Sequence, residues 1–130
     1  MARVLVIDDD QQIRSMIAKM LERDGHEVLV AANGVAGLRC FRSDRADLVV
    51  TNIFMPEKEG LETITELRDA DPALPIIAIS GGGKHRQTGV LEVARALGAT
   101  DALAKPFDMS ALVRRVRTAL EGVPQIGSDD

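Results

Sequence analysis

The sequence predicts an α/β fold, a doubly wound parallel sheet of five strands with five helices. Two observations carry this expectation. Short β-branched runs alternate with stretches of helical period, and the unit repeats five times along the chain. The strand runs are continuously apolar, as strands covered by helices on both faces must be. At 130 residues the chain has the length of one domain, without room for a fused catalytic or DNA-binding partner.

Val4 to Ile7 reads as the first strand. The helix after it spaces Ile13, Met16, Ile17, Met20 and Leu21 along one face and stops at Gly25. Glu27 to Ala31 is the second strand, and Asn33-Gly34 opens a helix carrying Val35, Leu38 and Phe41. Leu48 to Thr51 is the third strand. A loop with Pro56 and Gly60 leads to a helix presenting Leu61, Ile64 and Leu67, which ends near Asp71-Pro72. Pro75 introduces the fourth strand, Ile76 to Ile79. After Ser80-Gly81-Gly82-Gly83, the residues Val90, Val93, Ala94 and Leu97 keep helical spacing up to Gly98. Ala102 to Ala104 is the fifth strand. Asp108 is placed to N-cap the last helix, which lines up Met109, Leu112, Val113, Val116 and Leu120.

Composition narrows the function. Sixteen Lys and Arg against twenty Asp and Glu give a net charge of -4, so nucleic acid and anionic membrane are not expected partners. The aromatics are Phe41, Phe54 and Phe107, too few for base stacking. Cys40 is alone, which rules out an intramolecular disulfide and a multi-cysteine zinc site and suits a reducing, cytoplasmic setting. No apolar run approaches the roughly 18 residues of a membrane span, and Asp8-Asp9-Asp10 cuts the first one short of a signal peptide.

Right-handed crossovers leave few strand orders, and in open α/β sheets ligands bind beyond the carboxyl ends of the strands. The residues there are Asp8, Asp9, Asn52, Ser80 and Lys105. Adjacent carboxylates at one strand end call for a cation or for helix amides; Mg²⁺ seating and N-capping are both open for Asp8 to Asp10. Ser80 brings a hydroxyl, Lys105 an ammonium, and the glycines after Ser80 approachable amides, a donor set suited to phosphoryl oxygens.

These residues resemble the receiver domain of two-component response regulators. The resemblance runs through Val-Leu-Val-Ile-Asp8-Asp9-Asp10, Met55-Pro56-Glu57-Lys58-Glu59-Gly60, Ile-Ala-Ile-Ser80, Gly98-Ala99 and Lys105-Pro106-Phe107. It implies a flavodoxin-like sheet of strand order 2-1-3-4-5, with residues 1–121 as the receiver and 122–130 as a flexible tail too short for an output domain. By the same resemblance Asp8, Asp9, position 52 and the carbonyl of Phe54 would hold Mg²⁺. The acceptor carboxylate at 52 would take a phosphoryl group from a histidine kinase or phosphotransfer protein, with Ser80 and Lys105 on the phosphoryl oxygens. A downstream target protein is the implied second partner, and a second copy of the chain, paired through the fourth helix and fifth strand, is a further candidate.

Two positions depart from the pattern. Position 52 is Asn, whose amide lone pair is delocalised and cannot form an acyl phosphate. Its lack of charge weakens Mg²⁺ binding, since a unit-charge pair at about 4 Å is worth on the order of 4 kcal/mol at an effective dielectric of 20. A natural receiver that takes no phosphate and an engineered Asp-to-Asn change both fit. Ala102 stands three residues before Lys105, where receivers often carry an aromatic that swings inward, so switching would have to run through Ser80 and the Gly81 to Gly83 loop.

The bland readings are kept for the remaining residues. His26 and His85 are expected in solvated turns, with a ligand contact as the lesser alternative for His85, Cys40 packed or half-packed beside Phe41, and Arg114, Arg115 and Arg117 on a solvated face, with an acidic partner as the lesser alternative for the arginines. The rival function is a small phosphatase of the haloacid dehalogenase type with Asp8 as nucleophile and Asp10 as acid/base, although Gln11 and Gln12 follow where that motif wants Thr.

Overall fold

The computed structural model describes residues 2–53, 60–80, 90–104 and 107–122. Along the chain run β1 (Arg3–Ile7), α1 (Gln11–Arg23), β2 (Glu27–Ala31), α2 (Gly34–Asp44), β3 (Leu48–Asn52), α3 (Gly60–Ala70), β4 (Ile76–Ser80), α4 (Val90–Leu97), β5 (Asp101–Ala104) and α5 (Met109–Gly122). All ten expected elements are present. The strands β3 and β4 each run one residue further than the apolar pattern, so Asn52 and Ser80 are their last residues. α5 takes in Gly122; the rest of the expected tail lies outside the described residues.

The strands pair in parallel in the order β2-β1-β3-β4-β5. In the central pairing Val6 faces Val50 and Ile7 faces Thr51. Alternate side chains point to opposite faces. Leu5, Ile7, Val49 and Ala78 pack with Leu38, Phe41, Ile64, Leu67 and Ala94 of α2, α3 and α4. Val4, Val6, Val50, Ile77 and Ile79 pack with Ile17, Leu21, Leu112 and Val116 of α1 and α5. Each such aliphatic side chain contributes about 1.5–3 kcal/mol when fully buried, so this double layer stabilises the molecule.

Helix ends follow from local chemistry. Gly25 (φ +92°) and Gly98 (φ +125°) take the left-handed conformation after α1 and α4. Paired bonds close both helices: Gly25 N to Glu22 O and His26 N to Leu21 O after α1, and Gly98 N to Arg95 O and Ala99 N to Ala94 O after α4. The Asn33 side chain caps α2 by accepting from Ala36 N at 2.8 Å. Asp108 sits before α5 as expected, and its backbone carbonyl accepts from Ala111 N and Leu112 N. Arg68 of α3 donates to the carbonyls of Asp71, Pro72 and Gly98, tying the ends of α3 and α4 together.

Several expectations need correcting. Met16, Val35, Val93 and Leu97 keep helical spacing but lie at the margins of their apolar faces, with Met16 47% and Val35 50% exposed. His26 is not a solvated turn residue: its imidazole is 8% exposed, accepts at Nδ1 from Ala2 N at 3.3 Å and places Nε2 3.5 Å from Asp24 Oδ2. The arginines of α5 do face solvent as expected, but two of them are paired. Arg115 binds both carboxylate oxygens of Asp101 at 2.7 Å, and Arg117 grips Asp24 through Nε at 2.9 Å and through Nη2. The sequence shows the charges; their partners, Asp24 and Asp101, come from distant segments. Cys40 half-packs beside the core as expected, and burial raises its thiol pKa. His85 lies outside the described residues.

Gly37 of α2 is buried against Ile7, so an added Cβ would sit 2.8 Å from Ile7 Cγ1 and closer still to Cδ1. Overpacking costs about 1–3 kcal/mol and the helix gains about 1 kcal/mol from Gly→Ala. Gly37→Ala is therefore expected to lose up to about 2 kcal/mol in urea unfolding, and adding Ile7→Val, which removes Cδ1, to recover part of it.

The Arg117 guanidinium, by hydrogen bonding and charge, holds the Asp24 carboxyl below its ordinary range against the opposing effect of burial. A depressed carboxyl pKa stabilises the fold above the unfolded value of about 3.9 and stops doing so as pH falls through the folded value. Arg117→Gln is thus expected to be less stable than the parent at pH 7, with the gap narrowed at a pH below the unfolded value of about 3.9. Urea titrations at the two pH values measure it.

Candidate functional site at the carboxyl ends of the strands

β1 and β3 are neighbours in register, and their carboxyl ends bring Asp8 beside Asn52. Asp8 is 1% exposed and Asn52 6%. The Asn52 amide nitrogen stands 3.4 Å from Asp8 Oδ1 and 3.4 Å from Asp9 Oδ1, so one NH₂ group bridges both carboxylates. The bonds are long, near the outer limit of hydrogen-bond distance. Asp8 Oδ1 also accepts from Asp10 N at 2.9 Å.

The three adjacent acids divide their tasks. Asp10 is the N-cap of α1: its Oδ1 accepts from Gln12 N at 2.9 Å and Ile13 N at 3.2 Å. Asp8 and Asp9 converge on Asn52. Of the two readings open for the acidic run, Mg²⁺ seating and N-capping, capping holds for Asp10. Arg14, which the sequence reading passed over, donates from Nη1 to the Asp8 carbonyl at 2.7 Å and brings a fixed positive charge to this corner. Its place one turn into α1, four residues past the capping Asp10, was the available signal.

Ser80 ends β4 at the same edge of the sheet and is 1% exposed. In the β3–β4 register Asn52 pairs with Ile79, and Ile53 N donates to Ile79 O at 2.8 Å, which fixes Ser80 one residue beyond the partner of Asn52. Ala102, 6% exposed, lies on β5 opposite Ala78 and packs in the core beside α2, α3 and α4. Phe54, Lys105 and the Gly81 to Gly83 loop lie outside the described residues. The structure therefore brings together four of the expected residues, Asp8, Asp9, Asn52 and Ser80.

A receiver-domain family model matches residues 4–117. The chain belongs to the response regulator receiver family. Two relatives are the transcriptional regulatory protein CpxR of Klebsiella pneumoniae and the response regulator MprA of Mycobacterium ulcerans. CpxR is 35% identical over 120 residues, covering 92% of this chain and 50% of its own length. MprA is 36% identical over 120 residues, covering 91% and 50%. The chain spans about half the length of these relatives. Among solved structures, a response regulator receiver domain protein from Clostridium thermocellum superposes with a TM-score of 0.83 at 32% identity, covering 92% of this chain and 94% of its own. Receivers act in two-component signalling, and the flavodoxin-like strand order 2-1-3-4-5 is the one found here. Nothing supports the dehalogenase-type alternative, whose acid/base Asp10 is committed to the cap of α1.

Receiver domains generally bind Mg²⁺ at this corner, and the residues present fit it in reduced form. Two carboxylates suit a hard divalent cation. The third group is an amide turned nitrogen-first toward them, and among the described residues no three Asp, Glu, His or Cys side chains gather to hold a metal. The amide donates to the carboxylates where a cation would otherwise offset their charge.

Asn52→Asp replaces that donor by a third carboxylate. Each like-charge pair at about 4 Å costs on the order of 4 kcal/mol at an effective dielectric of 20, reduced when one acid takes a proton. The variant is expected to melt roughly 5 °C or more below the parent in metal-free buffer and to recover more than the parent does on adding Mg²⁺. Paired melting curves with and without Mg²⁺ check both halves.

Proposed function

We propose that residues 1–121 form a receiver that takes no phosphoryl group as written and signals by binding proteins. One observation carries this reading: the acceptor position is filled by an amide that donates to Asp8 and Asp9. A carboxylate there would turn an oxygen nucleophile toward an incoming phosphorus; the amide offers nitrogen, whose lone pair is withdrawn into its carbonyl.

The rest of the site retains receiver chemistry. Asp8 and Asp9 would hold Mg²⁺, with the Phe54 backbone carbonyl and, once its amide turns over from the nitrogen-first orientation, the Asn52 carbonyl as neutral ligands, and the ion when bound would offset charge on phosphoryl oxygens. Ser80 at the end of β4 and Lys105 after β5 supply a hydroxyl donor and an ammonium to the same oxygens. A histidine kinase or phosphotransfer protein then acts as a docking partner, and a downstream protein reads the complex. Without phosphorylation, partner binding, concentration or Mg²⁺ shifts the receiver between states, because only a ligand with different affinities for two states can move their balance. No helix among the described residues is long and apolar enough to cross a membrane, which accords with a cytoplasmic place of action.

Intact-mass spectrometry after incubation with acetyl phosphate and Mg²⁺ tests the reading. The chain as written is expected to keep its mass, and Asn52→Asp to gain one phosphoryl group of about 80 Da. A stable adduct on the unaltered chain, or an inert Asn52→Asp, would overturn it.

A further inference from the structure

A groove of about 260 Å³ runs between α1 and α5, lined by Met20, Arg23, Asp24, Val113, Arg114 and Arg117. Met20 and Val113 are half-buried and form an aliphatic floor, Val113 resting on the core beneath α1 and α5. The walls are basic. Arg117 is committed to Asp24. Arg23 and Arg114 are exposed, and among the described residues neither has an ion-pair partner.

Most of the other described arginines on the molecule are engaged. Arg3 pairs with Glu27, Arg95 and Arg115 share Asp101, Arg14 is held by the Asp8 carbonyl and Arg68 by three carbonyls. Among the described residues Arg39, Arg42, Arg45 and Lys19 also have no ion-pair partner, but the three arginines stand on or just after α2, across the sheet, and Lys19 of α1 does not line the groove. Two uncommitted guanidinium groups thus flank one apolar strip on a chain whose net charge is -4.

We propose that this groove docks an acidic amphipathic segment of a partner protein. An aliphatic side chain settles on Met20 and Val113, while flanking carboxylates take Arg23 and Arg114 in the two-pronged geometry guanidinium favours. A positive groove on an acidic molecule steers such a segment and rejects basic ones. A phosphate polymer fits less well, because the aliphatic floor offers bases nothing aromatic to stack on and Asp24 sits among the cations. Arg23 ends a 13-residue helix that starts beside Asp8, which places it about 18 Å along the helix axis from the acidic corner. Docking therefore does not depend on residue 52, and the proposal stands apart from the reading of the phosphorylation site.

The test uses the full chain and a synthetic peptide of roughly fourteen residues, with Leu at helical spacing and Glu between; a second peptide carries Lys in place of Glu. The Glu peptide is expected to bind at low salt, to shift the backbone amides of Met20, Arg23, Val113 and Arg114, and to weaken as salt screens the charges. The double variant Arg23→Glu with Arg114→Glu is expected to bind it at least about tenfold more weakly, and Arg23→Gln with Arg114→Gln to fall between. Unchanged melting midpoints would show that both variants fold. Absence of saturable binding at millimolar Glu peptide, shifts mapping elsewhere, or undiminished binding by the charge-reversed variant would overturn the proposal. Equal binding of the Lys peptide or of a single-stranded oligonucleotide, or a groove covered by a second copy in sedimentation, would overturn it as well.

Discussion

The parallel pairing of β1 with β3 governs what the rest of the molecule can do. Both strands are apolar and covered by helices on each face, so a register slip of one residue would turn core side chains toward the wrong layer. The register sets Ile7 opposite Thr51 and makes the first polar residues beyond each run, Asp8 and Asn52, near neighbours at the same edge. Both are almost fully buried, and a buried carboxylate needs hydrogen-bond donors or a counter-charge. The Asn52 amide, the Asp10 backbone N–H and the Arg14 guanidinium on the Asp8 carbonyl bring that polarity to the corner. Stability and function meet at this point, because the groups that settle the corner electrostatically are those a receiver uses for chemistry.

An amide and a carboxylate have nearly the same shape, so Asn52 fits its place in the fold without distortion while altering the electrostatics. With two acids instead of three, the corner carries less like-charge repulsion, and cation binding has less to relieve. The same substitution removes the nucleophile. The groove between α1 and α5 has the Arg117–Asp24 pair in its wall.

Much of this was legible in the chain, for a reason that particular residues show. Val4 to Ile7 and Ile76 to Ile79 can only be strands buried on both faces, and Gly25 and Gly98 stop their helices because each takes a positive φ. Strand ends follow from where the apolar runs stop, so Asp8, Asp9, Asn52 and Ser80 could be named together before any contact was seen. Met16 and Val35 show where periodicity misleads: helical spacing marks an apolar stripe but not the width that neighbours cover.

Partnerships between distant charges were decided by the tertiary structure alone. Asp24 and Arg117 lie 93 residues apart, and Asp101 and Arg115 meet only because β5 and α5 pack together; local sequence holds no record of either pair. His26 reads as a turn residue until the start of β1 and the end of α1 close around it. The division of Asp8, Asp9 and Asp10 into centre and cap was likewise fixed only when α1 began at Gln11 and β3 came alongside β1. Periodicity, turn residues and a missing nucleophile are properties of short segments and can be read along one chain; the pairing of charges depends on which surfaces fold into contact, and that is a property of the packed whole.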